Sequence, residues 1–194
     1  MKLDLVCSTN DENYTPAYAI IPLLKYLDKT KIKKIWCPFD TEDSWFVKIF
    51  LDCGYDVFYT HIKNGYNFFN FGQMADTEIP ECDIIISNPP YTLKTQVLQR
   101  LFEIGKPFAM LVGVVGLFES EERFSMFRDN DFELLYFNRR ISFFQNFDDQ
   151  KPKLNPPFSS VYVTSKLLPK KINFESIDKH ACKYISPQTS TEKQ

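Results

Sequence analysis

A run of isoleucines that ends in two prolines is the feature that most constrains the fold of this chain. Residues 84–86 are three consecutive isoleucines, a pattern typical of a strand that is buried on both faces in a parallel sheet. Residues 88–91, Asn-Pro-Pro-Tyr, follow almost at once. A strand cannot continue through them, because proline lacks the amide N–H and has a fixed φ. Asn88 is therefore predicted to lie at the carboxyl edge of a sheet, where open α/β folds bind their ligands.

The same turn has the groups that are needed to bind an amino group. The side-chain oxygen of Asn88 and the carbonyl of Asn88 or Pro89 can accept two hydrogen bonds from one exocyclic NH2 group. This draws the nitrogen lone pair out of conjugation with its ring. Tyr91 offers a flat face on which an extruded base can stack, and an enzyme that acts on a base must take it out of the duplex. The competing interpretation is an ordinary strand-to-helix turn whose prolines begin a helix.

Apolar periodicity along the rest of the chain predicts strands that alternate with helices. The predicted helices cover residues 16–27, 43–53, 93–104 and 119–128. The predicted strands cover residues 33–39, 55–61, 68–71, 83–87, 108–115, 132–137 and 159–167. This alternation indicates an α/β fold with a doubly wound, mostly parallel, seven-stranded sheet that ends in an antiparallel pair. One domain is expected over residues 1–185, followed by a disordered tail at residues 186–194.

Charge and cysteine content restrict the partners that are expected. The net charge is −2 over 194 residues, so no overall field draws the protein onto nucleic acid. DNA binding would need local patches such as Arg139 and Arg140. The five cysteines show no close pairing and no zinc-like spacing with the two histidines, so no metal is expected. No apolar stretch reaches about 18 residues, so no membrane association is expected and the protein is predicted to be cytoplasmic.

The Asn88–Tyr91 turn resembles the catalytic motif of the amino-methyltransferases that methylate the exocyclic nitrogen of adenine in DNA. Other segments resemble compact, phage-type members of that family through their order along the chain: Thr15-Pro16, Trp36-Cys37-Pro38-Phe39-Asp40, Gly65-Tyr66-Asn67-Phe68-Phe69, Arg140-Ile141-Ser142-Phe143 and Phe158-Ser159-Ser160-Val161-Tyr162. The resemblance covers roughly residues 14 to 170, and only Asn-Pro-Pro-Tyr is specific by itself. It implies a Rossmann-like methyltransferase fold, S-adenosylmethionine as the cofactor and DNA as the partner.

The resemblance also implies roles for individual residues. Asn88, Pro89, Pro90 and Tyr91 would form the catalytic turn, in which Asn88 stands where the family often has Asp and keeps the acceptor oxygen. The cofactor would be bound by a group of residues near the first strands: Thr15, Pro38, Asp40, Asp43, His61, Asn67 and Phe68. The substrate would be bound by aromatic and basic residues: Tyr91, Arg139, Arg140 and Phe143.

The cofactor segments depart from the family pattern at three places. The turn after the first predicted strand, residues 38–45, contains no glycine. The second predicted strand ends in His61 and not in a carboxylate, and Asn67 stands where an acidic residue is usual. Asp40 and Asp43 could still reach the amino group of a methionine moiety, His61 a ribose hydroxyl, and Asn67 the edge of an adenine.

Three classes of function remain open at the level of sequence. The first is methylation of adenine in DNA. As in restriction-modification, such methylation would shield phage or mobile-element DNA from restriction. The second is a non-catalytic descendant of the family that binds nucleic acid or a host protein. The third is methylation of an RNA base or a protein amide. The intact turn favours the first class and the lost glycine turn favours the second. Residues 146–158 form the one loop expected to recognise a target, so a short or degenerate DNA sequence is expected.

Overall fold

A seven-stranded sheet forms the centre of the structure, a computed structural model that describes residues 14–73, 78–145 and 158–179. The predicted tail, and the predicted recognition loop up to residue 157, lie outside these ranges. The strands are β1 (Lys34–Cys37), β2 (Asp56–Tyr59), β3 (Ile84–Ser87), β4 (Phe108–Gly113), β5 (Glu133–Phe137), β6 (Ser160–Ser165) and β7 (Ile172–Glu175).

The strand order across the sheet is β2-β1-β3-β4-β6-β5-β7. Six strands run in one direction, and β6 alone runs against its two neighbours, β4 and β5. The predicted mostly parallel α/β sheet is therefore confirmed at this level and is compatible with a Rossmann-like fold. The predicted antiparallel pair is present as β5 and β6, but the sheet does not end there, because β7 follows and pairs parallel with β5.

Helices cover both faces of the sheet. On one face lie α1 (Ala17–Ile20), which continues as a 3-10 helix at Ile21–Tyr26, and α2 (Trp45–Asp52). On the other lie α3 (Lys94–Ile104) and α4 (Glu121–Asp129). The isoleucines of β3 alternate between the two apolar cores, and all three are fully buried. Burial of each such side chain contributes roughly 1.5–3 kcal/mol, so a strand that is covered on both faces stabilises the run most.

One predicted strand was wrong. Residues 68–71 were expected to be extended, but Phe68–Asn70 is a 3-10 helix. The side-chain oxygen of Asn67 accepts a hydrogen bond from the backbone N–H of Phe69 at 3.0 Å, and this local bond closes a turn in place of a strand ladder. Phe68 then packs against Trp36 and Phe39, with ring centroids 5.6 Å and 5.0 Å away.

None of the helices in the described ranges has the length and apolar character that crossing a bilayer requires.

A buried carboxylate joins β5 to the end of β6. Glu133 is 7% exposed and accepts hydrogen bonds from the Thr164 hydroxyl at 2.7 Å and from the backbone N–H of Lys166 at 3.2 Å. The N–H of Leu168 approaches the same side chain at 3.4 Å. Lys166 has a positive φ of 58°, so Glu133 holds a turn that is otherwise unfavourable.

We predict that Glu133→Ala lowers the free energy of unfolding by about 1–3 kcal/mol, because it leaves buried donors without an acceptor. Urea unfolding followed by circular dichroism measures the change. Glu81→Ala is the matched control, since this glutamate is exposed and its ion pair with Lys34 lies on the surface, where such pairs contribute about 0–1 kcal/mol. Equal stability losses in the two variants would contradict the role of Glu133.

Candidate active site at the carboxyl edge of the sheet

The strands β1, β3 and β4 end at the same edge of the sheet because they run parallel to one another. The strand β6 runs the opposite way and begins at this edge, where Ser160 pairs with Gly113 at the end of β4. Residues that follow β1, β3 and β4 and those that precede β6 are thereby brought together. The Asn88–Tyr91 turn follows β3 and lies at this edge, flanked by the segments after β1 and β4.

The turn bends sharply from strand to helix. The strand β3 ends at Ser87, Pro89 is buried, and Asn88 is half-buried. Pro90 has φ −54° and ψ 126° and directly precedes a 3-10 helix at Tyr91–Leu93, which leads into α3. Pro90 is therefore the residue before the helix and not its first residue, and only its φ, which the proline ring fixes, is close to a helical value. The helix-start interpretation and the catalytic interpretation predict the same backbone here, so the surrounding side chains must distinguish them.

Tyr91 is the centre of an aromatic cluster. Its ring lies edge-on to Phe143, with centroids 6.0 Å apart, and 5.7 Å from the ring of Phe158. Its hydroxyl oxygen lies 3.2 Å from the Ser160 Oγ. Gly113 leaves the room that the rings occupy, because a Cβ at this position would lie 3.0 Å from a Phe158 ring carbon and 3.5 Å from one of Tyr91. We call Tyr91, Phe143 and Phe158 the aromatic cluster.

The predicted substrate residues are divided between this cluster and the surface. Phe143 is 5% exposed and contacts Tyr91 directly. Arg139 and Arg140 are exposed, in the segment between β5 and Phe143. The structure therefore brings one predicted substrate residue against the turn and leaves the two arginines available to solvent.

A buried carboxylate connects the segment after β1 to the turn. Asp40 is 8% exposed. One of its oxygens accepts a hydrogen bond from the Ser44 hydroxyl and the other accepts one from the Ser87 hydroxyl. Ser87 immediately precedes Asn88, and Ser44 caps the first turn of α2 by accepting a bond from the N–H of Phe46. Asp40 thus links the start of α2 to the residue that enters the Asn88–Tyr91 turn.

Burial dominates the acid–base behaviour of Asp40. It raises the pKa of the Asp40 carboxyl from its ordinary 3.8 to about 6, although the hydrogen bonds from Ser44 and Ser87 favour the charged form. The carboxyl therefore titrates at a higher pH than an ordinary aspartate, and perturbed pKa values of this kind are frequent at functional sites.

The other predicted cofactor residues lie around the same loops with different environments. Asp43 is exposed and its carboxylate lies 3.3 Å from the Lys48 Nζ. His61 is half-buried, and its Nδ1 accepts a hydrogen bond from the N–H of Lys63 at 3.2 Å. Asn67 and the buried Phe68 take part in the 3-10 turn described above.

Thr15 and Pro38 are both buried at this part of the molecule. The neighbour of Thr15, Tyr14, pairs with Phe144 through two backbone hydrogen bonds of 2.8 Å and 3.2 Å, and Phe144 follows Phe143 of the aromatic cluster in the chain. The Thr15 hydroxyl is buried and has no hydrogen-bond partner within the described residues. Buried hydroxyls ordinarily form a hydrogen bond, because an unmade bond costs free energy.

Sequence reasoning missed the residues that support the turn. Ser87 carried a signal, since it is a polar residue in an otherwise aliphatic strand and therefore needs a buried partner. Gly113 carried none, and Ser160 was marked only as part of the Phe158–Tyr162 segment, because the roles of both depend on strand pairing between segments distant in the chain. Within the described residues, no group of three or more side chains could hold a metal ion. Cys37 and Cys82 are buried thiols whose pKa burial raises, for Cys82 to about 11.

Comparison with known proteins adds no relative: no family model matches the chain, and no curated protein matches it in sequence. The interpretation of this edge therefore depends on geometry and residue chemistry. Two sets of contacts carry that geometry, namely the bonds of Asp40 and the aromatic cluster around Tyr91.

We predict that Asp40→Asn becomes more stable relative to the wild type as the pH rises from 4 to 7, by up to about 3 kcal/mol. The folded carboxyl has the raised pKa, so between the ordinary value of 3.8 and about 6 the folded state binds more protons than the unfolded chain. Wild-type stability therefore falls with rising pH in this window, whereas asparagine does not ionise. Urea unfolding at pH 4, 5.5 and 7 measures the difference. Asp56→Asn is the control for an exposed carboxyl, and a difference for Asp40→Asn that stays constant with pH would contradict the prediction.

Proposed function

We propose that this protein is an S-adenosylmethionine-dependent methyltransferase that transfers a methyl group to the exocyclic amino group of adenine in DNA. The observation that carries the proposal is the Asn88–Tyr91 turn, which leaves a buried central strand at the carboxyl edge of the sheet, held between the Asp40 loop and the aromatic cluster. A turn that only begins a helix does not need a hydrogen-bonded carboxylate on one side and a ring cluster on the other.

The architecture supports this proposal at a coarser level. A parallel sheet with helices on both faces binds ligands at the carboxyl ends of its strands, near the point where neighbouring connections lead to opposite faces. Here α2 follows β1 on one face and α3 follows β3 on the other. The candidate turn lies at such a point. A single reversed strand near the end of the sheet also agrees with the methyltransferase fold that the resemblance implies.

The residues after β1 and β2 would hold the cofactor, whose part is to supply an activated methyl group. Asp40 is bonded to Ser87 beside the turn, and the Pro38–Asp40 segment would bind the amino acid end of the ligand. The Thr15 hydroxyl, which has no partner among the described residues, would bind the same end. His61 and Asn67 follow β2 and fit the nucleoside end through hydrogen bonds. Asp43 would have to give up its ion pair with Lys48 before it could bind the cofactor.

The chain's own contribution to the chemistry would be mainly positioning. The Asn88 side-chain oxygen and a carbonyl of the turn would accept both amino hydrogens and direct the nitrogen lone pair out of the ring plane. The Tyr91 ring would hold the base, and Phe143 and Phe158 would keep that ring in place. The departing proton becomes acidic only as the new bond forms, so water can accept it and no strong base is required.

A second candidate function is supported by the state of the cofactor residues. Both oxygens of Asp40 are already engaged, Phe68 is 3% exposed against other core rings, and the loop after β1 lacks glycine. These features favour a protein that keeps the fold and binds nucleic acid or a host protein without catalysis. Methylation of an RNA base or a protein amide would use the same turn and needs a substrate test.

The two candidates differ in a direct measurement. We predict that S-adenosylmethionine binds the purified protein in a calorimetric titration, and that Asn88→Ala keeps this affinity within about threefold. Methyl transfer to adenine-containing duplex DNA should fall by about 10²–10³-fold in the variant, as expected when a group that stabilises the transition state is removed.

Asn130→Ala is the matched control, because this asparagine is exposed, at the end of α4. Mass spectrometry of digested DNA detects the methylated base, and the same assay with RNA or peptides tests the other substrates. Full transfer by Asn88→Ala would contradict the assigned role of the turn. Absence of cofactor binding up to millimolar concentration would favour the non-catalytic function.

A further inference from the structure

Two basic side chains converge on the loop that follows β4. Lys94 is the first residue of α3, and its ammonium group donates a hydrogen bond to the carbonyl of Val115. Arg123, on α4, donates from Nη1 to the Thr95 hydroxyl at 3.0 Å. Between them passes Gly116, which has a positive φ of 64°. Measured from the position of a Cβ on Gly116, the Arg123 Nη2 lies at 3.6 Å and the Lys94 Nζ at 4.0 Å.

This arrangement is electrostatically unfavourable as it stands. Burial and then the neighbouring Arg123 lower the pKa of Lys94, and Glu119 opposes them only partly. The Glu119 carboxylate oxygen lies 3.7 Å from the same Cβ position, yet neither cation forms an ion pair within the described ranges. The Arg123 Nε is buried without an acceptor in the part of the chain that the structure describes. Two partly buried cations held together in this way call for an anion.

The position of the pair indicates which anion. Lys94 lies one turn beyond Tyr91, and side chains three residues apart on a helix are neighbours. It also lies at the amino end of the eleven-residue α3, where the helix dipole favours negative charge. The net charge of the whole chain is −2, so attraction of a polyanion must come from local groups.

We propose that Lys94 and Arg123 form a binding subsite for a backbone phosphate of nucleic acid, next to the turn that receives the base. This inference rests on the proposed function and deepens it, because it states how the polyanion is anchored while one base reaches Tyr91. Lysine and arginine bind phosphate through charge and through their several N–H donors, and the bond from the Arg123 Nη1 to the Thr95 hydroxyl holds the guanidinium in place.

The acidic residues nearby limit the size of the subsite. Glu119 faces the two cations, and Glu121 and Glu122 are exposed on the first turn of α4. A broad contact with a nucleic acid backbone is therefore disfavoured on this side. The geometry fits one phosphate, and the remaining contacts would come from elsewhere on the edge.

The test is the salt dependence of DNA binding by the full chain. A fluorescein-labelled 20-base-pair duplex that contains adenine, and its single strand, are titrated in fluorescence anisotropy between 50 and 200 mM KCl. The variants are Lys94→Gln and Arg123→Gln. Each should weaken binding at 50 mM and reduce the magnitude of the slope of log affinity against log salt by about one. The ratio of wild-type to variant affinity should therefore be about threefold smaller at 200 mM salt than at 50 mM.

Two matched controls change the net charge equally. Lys106→Gln removes a lysine that donates to a backbone carbonyl, that of Cys82, at the opposite edge of the sheet. Arg128→Gln removes an exposed arginine from the same helix as Arg123. Both should keep the wild-type slope. Lys94→Arg keeps the charge and should restore most of the affinity, and Glu119→Gln should strengthen binding severalfold.

The outcomes separate this proposal from the proposed function. Weaker binding with a smaller slope in Lys94→Gln and Arg123→Gln, with unchanged affinity for S-adenosylmethionine and unchanged melting temperature, supports the phosphate subsite. Wild-type binding in both variants overturns the subsite and leaves the methyltransferase proposal standing. If the wild type binds S-adenosylmethionine but neither form of DNA, the subsite is overturned together with DNA as the substrate.

Discussion

The position of the candidate site depends on the parallel pairing of β1 with β3 and on the buried hydrogen bond that crosses between them. Ser87 ends a strand whose other side chains are aliphatic, and its hydroxyl is fully buried. In such surroundings a hydroxyl needs a partner, because an unmade bond costs about 1–3 kcal/mol. Asp40 provides that partner from the loop that follows the neighbouring strand β1. The direction in which Asn88 leaves the sheet is thereby tied to the loop after β1, and α2 is tied to the same carboxylate through Ser44.

The other side of the turn is held by packing and not by charge. Gly113 ends β4 without a side chain, and the space above it is taken by the rings of Tyr91 and Phe158. The reversed direction of β6 is what brings Ser160 to this edge, where its hydroxyl meets that of Tyr91. A carboxylate on one side and an aromatic cluster on the other leave the turn little freedom. A site that binds by positioning needs this restriction, since effective catalysis by orientation requires reacting groups to be held in place before binding.

Much of the sheet could be predicted from the sequence, because a buried central strand has an unmistakable composition. The run at residues 84–86 and the prolines after it determined both the strand and its end. The last edge strand could not be predicted, because the side chains of Ile172 and Phe174 remain 51% and 76% exposed, so burial does not select their pattern. The strand predicted at residues 68–71 was wrong although its phenylalanines are apolar enough for a strand. The side chain of Asn67 closes a turn there instead. Of the candidate site, the sequence indicates only the part that is continuous along the chain, Asn88–Tyr91. The partners of the turn come from β1, β4 and β6, and only the pairing of the strands brings them together.

Charged groups occur on both sides of the turn, and each is held at a cost. The carboxylate of Asp40 is buried after β1, while Lys94 and Arg123 approach each other at the loop after β4, and β3 with its turn lies between. A fold under selection for stability alone would place neutral residues at both positions, because replacing buried charges by packed neutral groups is often stabilising. Strained charges that cluster at one edge of a sheet are instead typical of sites that act on a ligand. Under the proposed function, the opposite signs on the two sides would suit two different ligands. The cations would face a polyanionic backbone. Asp40 would have to release Ser44 or Ser87 to bind the positively charged end of a small cofactor.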